Sequence, residues 1–510
     1  MIGYSCRFGI YQMIVQFKQQ KIDGYGRSRL AKYLLCGLLL TSAPNLTFSA
    51  SLFPTDPFGT LEQVPPDQGS QWNMSGSACS KQPEPDKPWT LVDVINRALC
   101  ENPQTRETWA NARQQAAQLG VTKAQLLPNA DLNGNLSRSY NSRGSTAISS
   151  TGNVVRVPAG QNQSNAAMSL NYLLFDFGAR SAAVEGTRQS LLAADWTHNA
   201  TLQNVMLSAI QAYYQSFATQ ESVKATQTSE KSAQEAFDAA RFRHQVGAAA
   251  LADELQARTA YSQARLNRQQ AEGNASIAVG TLANVVGLEA DAPLKLAPPI
   301  LMEPTIEEKR TVKELIEVAK ADRPDLAAAE AQVNAAQAAV RQAKAGGLPT
   351  FPLFANYGDN YSQGFGNYRT WSIGVSINVP LFTGYSDTYK IRAAQASLES
   401  SVAAQNLLTK RISLDVWSAY HNLQTAYNTF VSSTDLLASS AEAERVALGR
   451  YKVGVGTILD LLNAEANLAN ARLQHIQAQY NWYTSRAALA QAIGRLQPES
   501  IVATPVKENK

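Results

Sequence analysis

The sequence has few of the residues that carry out enzyme chemistry. Its 510 residues include only four histidines, which lack metal-ligand spacing and have no nucleophile nearby. They stand at His198, His244, His421 and His475. A glycine-rich phosphate loop and a pair of catalytic carboxylates are also missing. The sequence therefore indicates no enzyme and predicts no catalytic residue, no metal site and no cofactor.

The net charge of the chain is small, and long apolar runs are rare. The formal charge is +4, but residues 1–50 hold six Lys and Arg against one acid, so the remainder is nearly neutral at −1. A chain this neutral has no electrostatic footprint for nucleic acid. Beyond residue 50 no stretch of 18 apolar residues occurs, which excludes a transmembrane helix there.

The basic N-terminal segment leads into a short apolar stretch, YLLCGLLL at 33–40, which small residues follow. A charged region, an apolar region and small residues in that order are typical of a secretory signal. We therefore predict that residues 1–50 are a signal peptide, with Met13 as an alternative start. Residues 51–90 are then an N-terminal extension of the exported chain.

Cysteine is equally rare, and only two cysteines follow the predicted signal, Cys79 and Cys100. An exported protein enters an oxidising compartment, where paired cysteines form disulfides. We therefore predict a disulfide between these two residues. Two unpaired buried thiols are the alternative.

The remaining sequence contains a tandem repeat. Tyr213 aligns with Tyr420 at an offset of 207 residues, and the same offset relates Gly247 to Gly454. Anchors further upstream are offset by 221 residues, because the first copy has a longer loop at about 141–164. We predict repeat 1 at 91–288, a linker or equatorial segment at 289–310, repeat 2 at 311–496 and a C-terminal tail at 497–510.

Each copy contains two segments in which apolar and polar residues alternate, a period typical of strands. In the first copy these are Ala130–Ser137 and Asn165–Leu173, and in the second they are residues 351–357 and 371–379. Segments of about ten residues with one apolar and one polar face are typical of membrane β-barrel strands. An ordinary soluble hairpin is the alternative.

Helical segments flank these strands. Shorter ones, bracketed by prolines, precede them at 103–128 and 324–349. Residues 159–292 and 381–497 contain no proline and are rich in Ala, Gln, Leu and Glu, which favour helix. A continuous helix over 178–244 would be about 100 Å long. A hairpin of such sparsely apolar helices must pack side by side with others.

Four strands per chain are too few to close a barrel, and open sheet edges are not tolerated in lipid. Several copies of the chain must therefore contribute strands to one barrel. An assembly of about 12 strands or more would leave a channel inside. The residues thus predict an oligomeric tube, without fixing the number of copies.

The order of these segments resembles the TolC family of outer-membrane efflux and secretion proteins, over residues 91–496. The most specific stretch is RYKVGVGTILDLLNAEANLANAR at 450–472, matched in the first copy by RHQVGAAALADELQARTAYSQAR at 243–265. Residues 98–103, ALCENP, look more specifically like the branch that includes the outer-membrane protein of cyclolysin-type secretion.

The resemblance implies an α+β membrane protein with a trimeric TolC-like fold. Each chain would give four strands to a 12-stranded β-barrel in the lipid of the outer membrane, which a long α-helical barrel continues into the periplasm. The implied function is a passive exit duct for type I protein secretion or multidrug efflux. Its implied partners are a periplasmic adaptor (membrane fusion) protein and an inner-membrane ABC or proton-driven pump.

The resemblance also implies where such a duct closes. By motif position, the contacts that hold the periplasmic entrance shut fall on Asp253 and Tyr451, and a ring of acids at the narrowest point falls on Asp460. Asn463 stands at a second ring position, and Gly456 stands where the family has a basic gate residue. We therefore expect a less tightly held entrance.

The implied docking sites for the adaptor are the helix turns at Val246, Gly247, Val453 and Gly454. A simpler alternative exists for Asp253, Glu254 and Asp460: they are solvated acids near a helix start, where the helix dipole favours them.

For the chain as a whole, the alternative function is an exported coiled-coil structural or adhesive surface protein. That function leaves the duplicated strand pairs unexplained.

Overall fold

The computed structural model describes residues 56–64, 88–140, 142, 145–148, 152, 154–157, 159–299, 310–363 and 366–497. The predicted signal peptide, Cys79 and the tail beyond residue 497 lie outside the described residues, as does most of the predicted N-terminal extension. A separate N-terminal unit ends at Pro57, and the description below concerns the unit that begins at Phe58.

The helices and strands of this unit follow one order twice. In the first half they are α1 Leu91–Glu101, α2 Pro103–Ala124, β1 Asn129–Tyr140, β2 Ser145–Ile148, β3 Val154–Val157, β4 Gly160–Phe175, α3 Ala179–Gln245 and α4 Leu251–Val285. In the second half they are α5 Val312–Asp322, α6 Pro324–Ala345, β5 Phe351–Ser362, β6 Gly366–Val375, α7 Ser386–Lys452 and α8 Ile458–Ala492. A 3-10 helix, Leu61–Gln63, precedes them. Each half therefore has two short helices, two long strands and a helical hairpin, and the first half adds the small hairpin β2–β3.

The four long strands form one antiparallel sheet in the order β1-β4-β5-β6. Its register brings one large apolar residue of each strand into a row, and all four side chains are exposed: Leu132, Met168, Tyr357 and Trp371. On the opposite face the Asn165 side chain donates a hydrogen bond to Asn360. The sheet thus has one apolar and one polar face, as the alternation predicts.

The strands extend beyond the predicted segments at several ends, as β1 does to Tyr140 and β5 does to Ser362. Two further boundaries differ for a structural reason. Strand β4 begins at Gly160, inside the predicted loop, because part of that loop folds into the hairpin β2–β3. Strand β6 ends at Val375, although the alternating pattern continues to residue 379. Its partner β5 begins at Phe351, so little of β5 remains for later residues to pair with, and only an isolated bridge joins Thr350 to Asn378.

The long helices match the prediction closely. Helices α3 and α7 have 67 residues each, and their hairpin partners α4 and α8 have 35 residues each. Among the described residues, none of the helices combines the length and apolar character needed to cross a membrane.

The main core lies midway along α3 and α7, at the level where the shorter helices α4 and α8 end. Tyr213 and Tyr214 of α3 are each 1% exposed. Tyr214 packs against Tyr480 and Tyr483 of α8, and Tyr213 packs against Tyr214 and Phe217 of its own helix. The Tyr213 hydroxyl donates a hydrogen bond to the carbonyl oxygen of Ala297 at 2.6 Å. These tyrosines are therefore packing residues.

Matched glycines join the hairpins to the short helices. Gly287 has a φ of +76°, and a Cβ there would lie 2.7 Å from the carbonyl oxygen of Glu101. Gly494 has a φ of +77°, and a Cβ there would lie 2.8 Å from the carbonyl oxygen of Asp322. Only glycine combines the left-handed backbone with so close an approach. The repeated glycine therefore has a packing reason in both halves.

Candidate functional site at the helical hairpin turns

The two hairpin turns have the same backbone path. The first turn includes Val246 and Gly247, and the second includes Val453 and Gly454. Both glycines are left-handed, with φ of +76° and +82°. Each turn is closed by a backbone bond to the arginine before it, from Ala248 to Arg243 and from Val455 to Arg450. All four predicted docking residues are exposed in the single chain.

The start of the helix after each turn is fixed in a different way. At α8 the Thr457 hydroxyl accepts a hydrogen bond from the Asp460 backbone at 3.1 Å, and the Asp460 carboxylate accepts one from the Thr457 backbone at 3.3 Å. This reciprocal pair is a capping box. At α4 the equivalent cap position is Ala250, which has no side-chain acceptor.

The first turn is held across its two helices instead. His244 of α3 and Glu254 of α4 share a hydrogen bond of 2.6 Å between the imidazole Nδ1 and a carboxylate oxygen. Asp253, next to Glu254, is half-buried. Glu254 is therefore more than a solvated acid at a helix start, because it ties the two helices together.

Asp460 is exposed, and so is Asn463 one turn further along α8. Hydrogen bonds from the side chain and backbone of Thr457, with the nearby charge of Arg450, lower the pKa of Asp460 below its ordinary value of 3.8. The carboxylate is therefore charged at neutral pH. Its capping bonds explain its position locally, and its membership of an acid ring stays a prediction.

Tyr451 is the buried residue of the site, at 6% exposure. It ends α7 and packs in a small cluster with residues of the other hairpin and of α8. The members of this tip cluster are Ala236, Ala240, Ala257, Tyr451, Ile458 and Leu461. The cluster joins the two hairpins of one chain close to their turns.

Arg243 makes a polar contact between the hairpins close to their turns, and this contact was not predicted from the sequence. Its Nη2 donates a hydrogen bond to the carbonyl oxygen of Tyr451 at 3.0 Å, and its guanidinium carbon lies 4.2 Å from the centre of the Tyr451 ring. A cation over an aromatic face is attracted by the ring. The signal in the sequence was an arginine at the same position in both repeats, Arg243 and Arg450.

The predicted bond between Tyr451 and Asp253 is not among the hydrogen bonds of the described residues within a single chain. It stays a prediction for the assembled protein, in which residues of neighbouring copies also meet. The same holds for the ring positions Asp460 and Asn463.

Cys100 is buried at the end of α1 and is disulfide-bonded. Its partner lies outside the described residues, so Cys79 as that partner stays a prediction. Within the described part of the chain, no group of three or more His, Cys, Asp or Glu is placed to hold a metal ion.

Comparison with known proteins agrees with this architecture. The family model described as outer membrane efflux protein matches residues 94–288 and 315–495. The chain belongs to the outer membrane efflux protein family. It is therefore an outer-membrane export channel, and its family consists of channels and not enzymes.

Individual relatives support the same family. The chain is 29% identical to protein CyaE of Bordetella pertussis over 422 residues, covering 82% of this chain and 86% of that protein. It is 26% identical to the probable efflux pump outer membrane protein TtgC of Pseudomonas putida over 432 residues, covering 79% and 82%. The CmeC outer membrane channel of Campylobacter jejuni has the same fold, with a TM-score of 0.71 and 19% identity over 80% of this chain and 86% of that one.

Membership of the efflux protein family gives the sheet and the hairpins their setting. The apolar face of the sheet suits the outer membrane, and the long helices extend from it into the periplasm. Since α3 and α7 lead away from β4 and from the β5–β6 pair, their turns lie at the end furthest from the membrane.

Proposed function

We propose that this chain is the homotrimeric exit duct of a tripartite export system, closed at rest by contacts at its hairpin turns. The observation that supports a closed entrance is the contact of Arg243 with Tyr451. It joins the two hairpins of a protomer close to the turns, where helix separation would widen the opening.

The sheet and the family support the proposed trimer. Four strands leave two edges unpaired, and an unpaired edge is very costly in lipid. Three copies supply 12 strands, which is enough for a barrel with a channel inside. The exposed row that begins with Leu132 and ends with Trp371 would then face lipid.

The proposed partners are a periplasmic adaptor and an inner-membrane pump. The exposed turn residues Val246, Gly247, Val453 and Gly454 are the proposed contact for the adaptor. The names of the two relatives do not distinguish the kind of pump, because one of them is named for efflux and the other is not. A peptidase-like ABC exporter gene beside the gene for this chain would favour protein secretion, and a proton-driven pump gene would favour drug efflux.

The proposed closing contacts extend beyond one chain. Tyr451 has a hydroxyl that can donate to a carboxylate, and Asp253 has a half-buried carboxylate near the same tip cluster. Such charge-assisted bonds are stronger than neutral ones. Asp460 would place three negative charges in a narrow opening, where a field is poorly screened.

The proposal is tested on protein extracted from outer membranes with detergent. We expect a mass of three chains with bound detergent, and cation-selective channels of low conductance in planar bilayers. A folded monomer in detergent, or a mature chain that stays in solution without detergent, would contradict the exit duct. An adhesive coiled-coil protein, the alternative from another class, would form no channels at all.

A further inference from the structure

A cavity of about 330 Å³, lined by both polar and apolar residues, lies between the two hairpins. Its lining is mostly small residues of α3, α4 and α8, so the helices leave space there that larger side chains would fill. Three acidic residues lie at the end of the cavity that is nearer to the tip cluster: Glu235 of α3, Glu444 of α7 and Glu465 of α8.

Glu465 is the central acid of this group. It lines the cavity and is half-buried, and the charges of Glu444 and Glu235 act on it from two other helices. Within the described residues, none of the three carboxylates has a hydrogen bond or an ion pair. Like charges in a partly desolvated space repel one another more strongly than they do in water.

The other charged group of the cavity is Arg472, which lies two helical turns beyond Glu465 on the same helix. The lining residues of α4 are uncharged: Ala260, Gln263, Ala264 and Asn267. Arg268 of α4 is engaged by Glu230 and Glu272. No cation therefore pairs with the three acids among the described residues.

The position of the acids links their charge to closure. Glu235 directly precedes Ala236, and Glu465 lies one helical turn beyond Leu461. Both Ala236 and Leu461 belong to the tip cluster around Tyr451. Repulsion among the carboxylates therefore acts on the helices that the tip cluster holds together.

We infer that Glu465, together with Glu235 and Glu444, makes the contact between the two hairpins sensitive to acid, so that the entrance closes more tightly as the pH falls. This inference rests on the proposed closed entrance. It assigns a regulatory role to residues outside the turns themselves.

The direction follows from proton linkage. Burial, with the charges of Glu444 and Glu235, raises the pKa of Glu465 from 4.5 to about 7 in the packed state. When the hairpins separate, water reaches the group and its pKa returns towards 4.5. The packed state therefore binds the proton more tightly. Its stability relative to the open state increases as the pH falls through 7, and it stops changing below about 4.5.

The effect of Glu465 on the pH response must be distinguished from that of two other acid–base groups of the entrance. The pKa of Asp460 is lowered, so this group stays charged between pH 5.5 and 8. His244 lies at the first turn and is bonded to Glu254. The variant His244→Gln tests whether that imidazole contributes to any response in the same range.

The experiment is planar-bilayer recording with the purified protein, with the periplasmic side stepped from pH 8 to pH 5.5. We expect the open probability to fall by about thirtyfold, since one protonation of this kind changes the equilibrium by up to a factor of ten per pH unit and the step extends about 1.5 units below the raised pKa of Glu465. Glu465→Gln carries no charge at either pH, so its channels should stay in the low-probability state throughout. Glu444→Gln removes one repelling charge and should move the midpoint of the response to a lower pH.

The matched control is Glu442→Gln, which changes an exposed glutamate of α7 that pairs with Arg445 outside the cavity. It should keep the full acid response. His244→Gln loses a contact that holds the first turn, so its baseline can change, but the ratio of its open probabilities at pH 8 and pH 5.5 should equal that of the wild type. A wild-type channel that ignores pH, or a Glu465→Gln channel with an unchanged response, overturns the inference alone. A wild-type protein that forms no channel overturns the proposed function as well.

Discussion

The two hairpin turns share a backbone but are fixed by different side chains. The second turn uses a local device, the capping box of Thr457 and Asp460. The first turn has Ala250 at the cap position and is held between helices by His244 and Glu254. One turn is therefore fixed by the sequence of its own helix start, and the other by contact with the preceding helix.

The paired arginines differ in the same way. Arg243 reaches across to Tyr451 of the other hairpin. Arg450 lies instead beside a cavity of about 310 Å³, which Gly456 and Asp460 also line. The comparison teaches that duplication kept the turn geometry while the contacts that join the hairpins diverged. Closure should therefore depend unequally on matched residues.

The largest effect on channel opening should come from replacing each of the two arginines, one at a time, with alanine. Arg243→Ala removes a hydrogen bond and a cation–π contact, together about 2 kcal/mol. That loss shifts the closing equilibrium by roughly thirtyfold, so single-channel recordings should show a raised open probability. Arg450→Ala should have a much smaller effect on opening.

The control for this comparison is Arg241→Ala. Arg241 is an exposed residue of the same helix that pairs with Asp238 three residues before it. The variant should leave the open probability unchanged. Equal effects of Arg243→Ala and Arg450→Ala would contradict the unequal roles of the two copies.

A capping box can be transferred from the second turn to the first. Ala250 has the extended backbone of a cap residue, with φ −77° and ψ 153°, and Asp253 stands three residues later. Ala250→Thr should therefore create the missing pair and stabilise the start of α4 by about 1 kcal/mol. Thr457→Ala should destabilise the start of α8 by a similar amount.

Hydrogen exchange of the first-turn amides in α4 and α8 measures both changes. We expect slower exchange in α4 of Ala250→Thr and faster exchange in α8 of Thr457→Ala. Ala248→Thr, outside the cap position, is the control. Unchanged exchange in both helices would mean that the caps do not limit local opening.

The smallest predicted effect concerns cation block at Asp460. Asp460→Ala should weaken block by trivalent cations applied from the periplasmic side, because it removes three charges from the entrance. In the wild type the lowered pKa of Asp460 should preserve block on acidification to about pH 4.5. In Thr457→Ala the side-chain hydrogen bond to the carboxylate is lost while the one from the residue-457 backbone remains, so the pKa of Asp460 should rise part of the way and block should fade at a higher pH. Block that is the same in all three proteins would exclude Asp460 from the narrowest point.

Much of the fold was predictable because it depends on local pattern. The alternation of apolar and polar residues predicts the four long strands, and the proline-free stretches predict the 67-residue helices. The short helices α1 and α5 were not predicted as separate elements, although each begins with a capping box, at Thr90 and Thr311. The hairpin β2–β3 was missed because its four-residue strands lie within a Ser/Gly-rich loop.

The site was less predictable, since its contacts join distant parts of the chain. The motif located Tyr451 and Asp460, but Arg243 and Tyr451 are 208 residues apart, and their contact depends on how the hairpins pack. The raised pKa of Glu465 likewise depends on residues of three helices. Contacts of Asp253 with a neighbouring copy depend on the assembly.

The most direct test of a closed entrance is single-channel recording of the double variant Tyr451→Phe with Asp253→Ala beside the wild type. Phe keeps the buried ring and its contact with Arg243, so the tip cluster should stay packed while the proposed hydroxyl–carboxylate bond is lost. Each such bond is worth about 1–3 kcal/mol, and threefold symmetry repeats it. We predict a trimer of unchanged mass with clearly raised conductance. A double variant that conducts like the wild type would show that these residues are ordinary surface and packing groups, and would contradict a channel held closed by them.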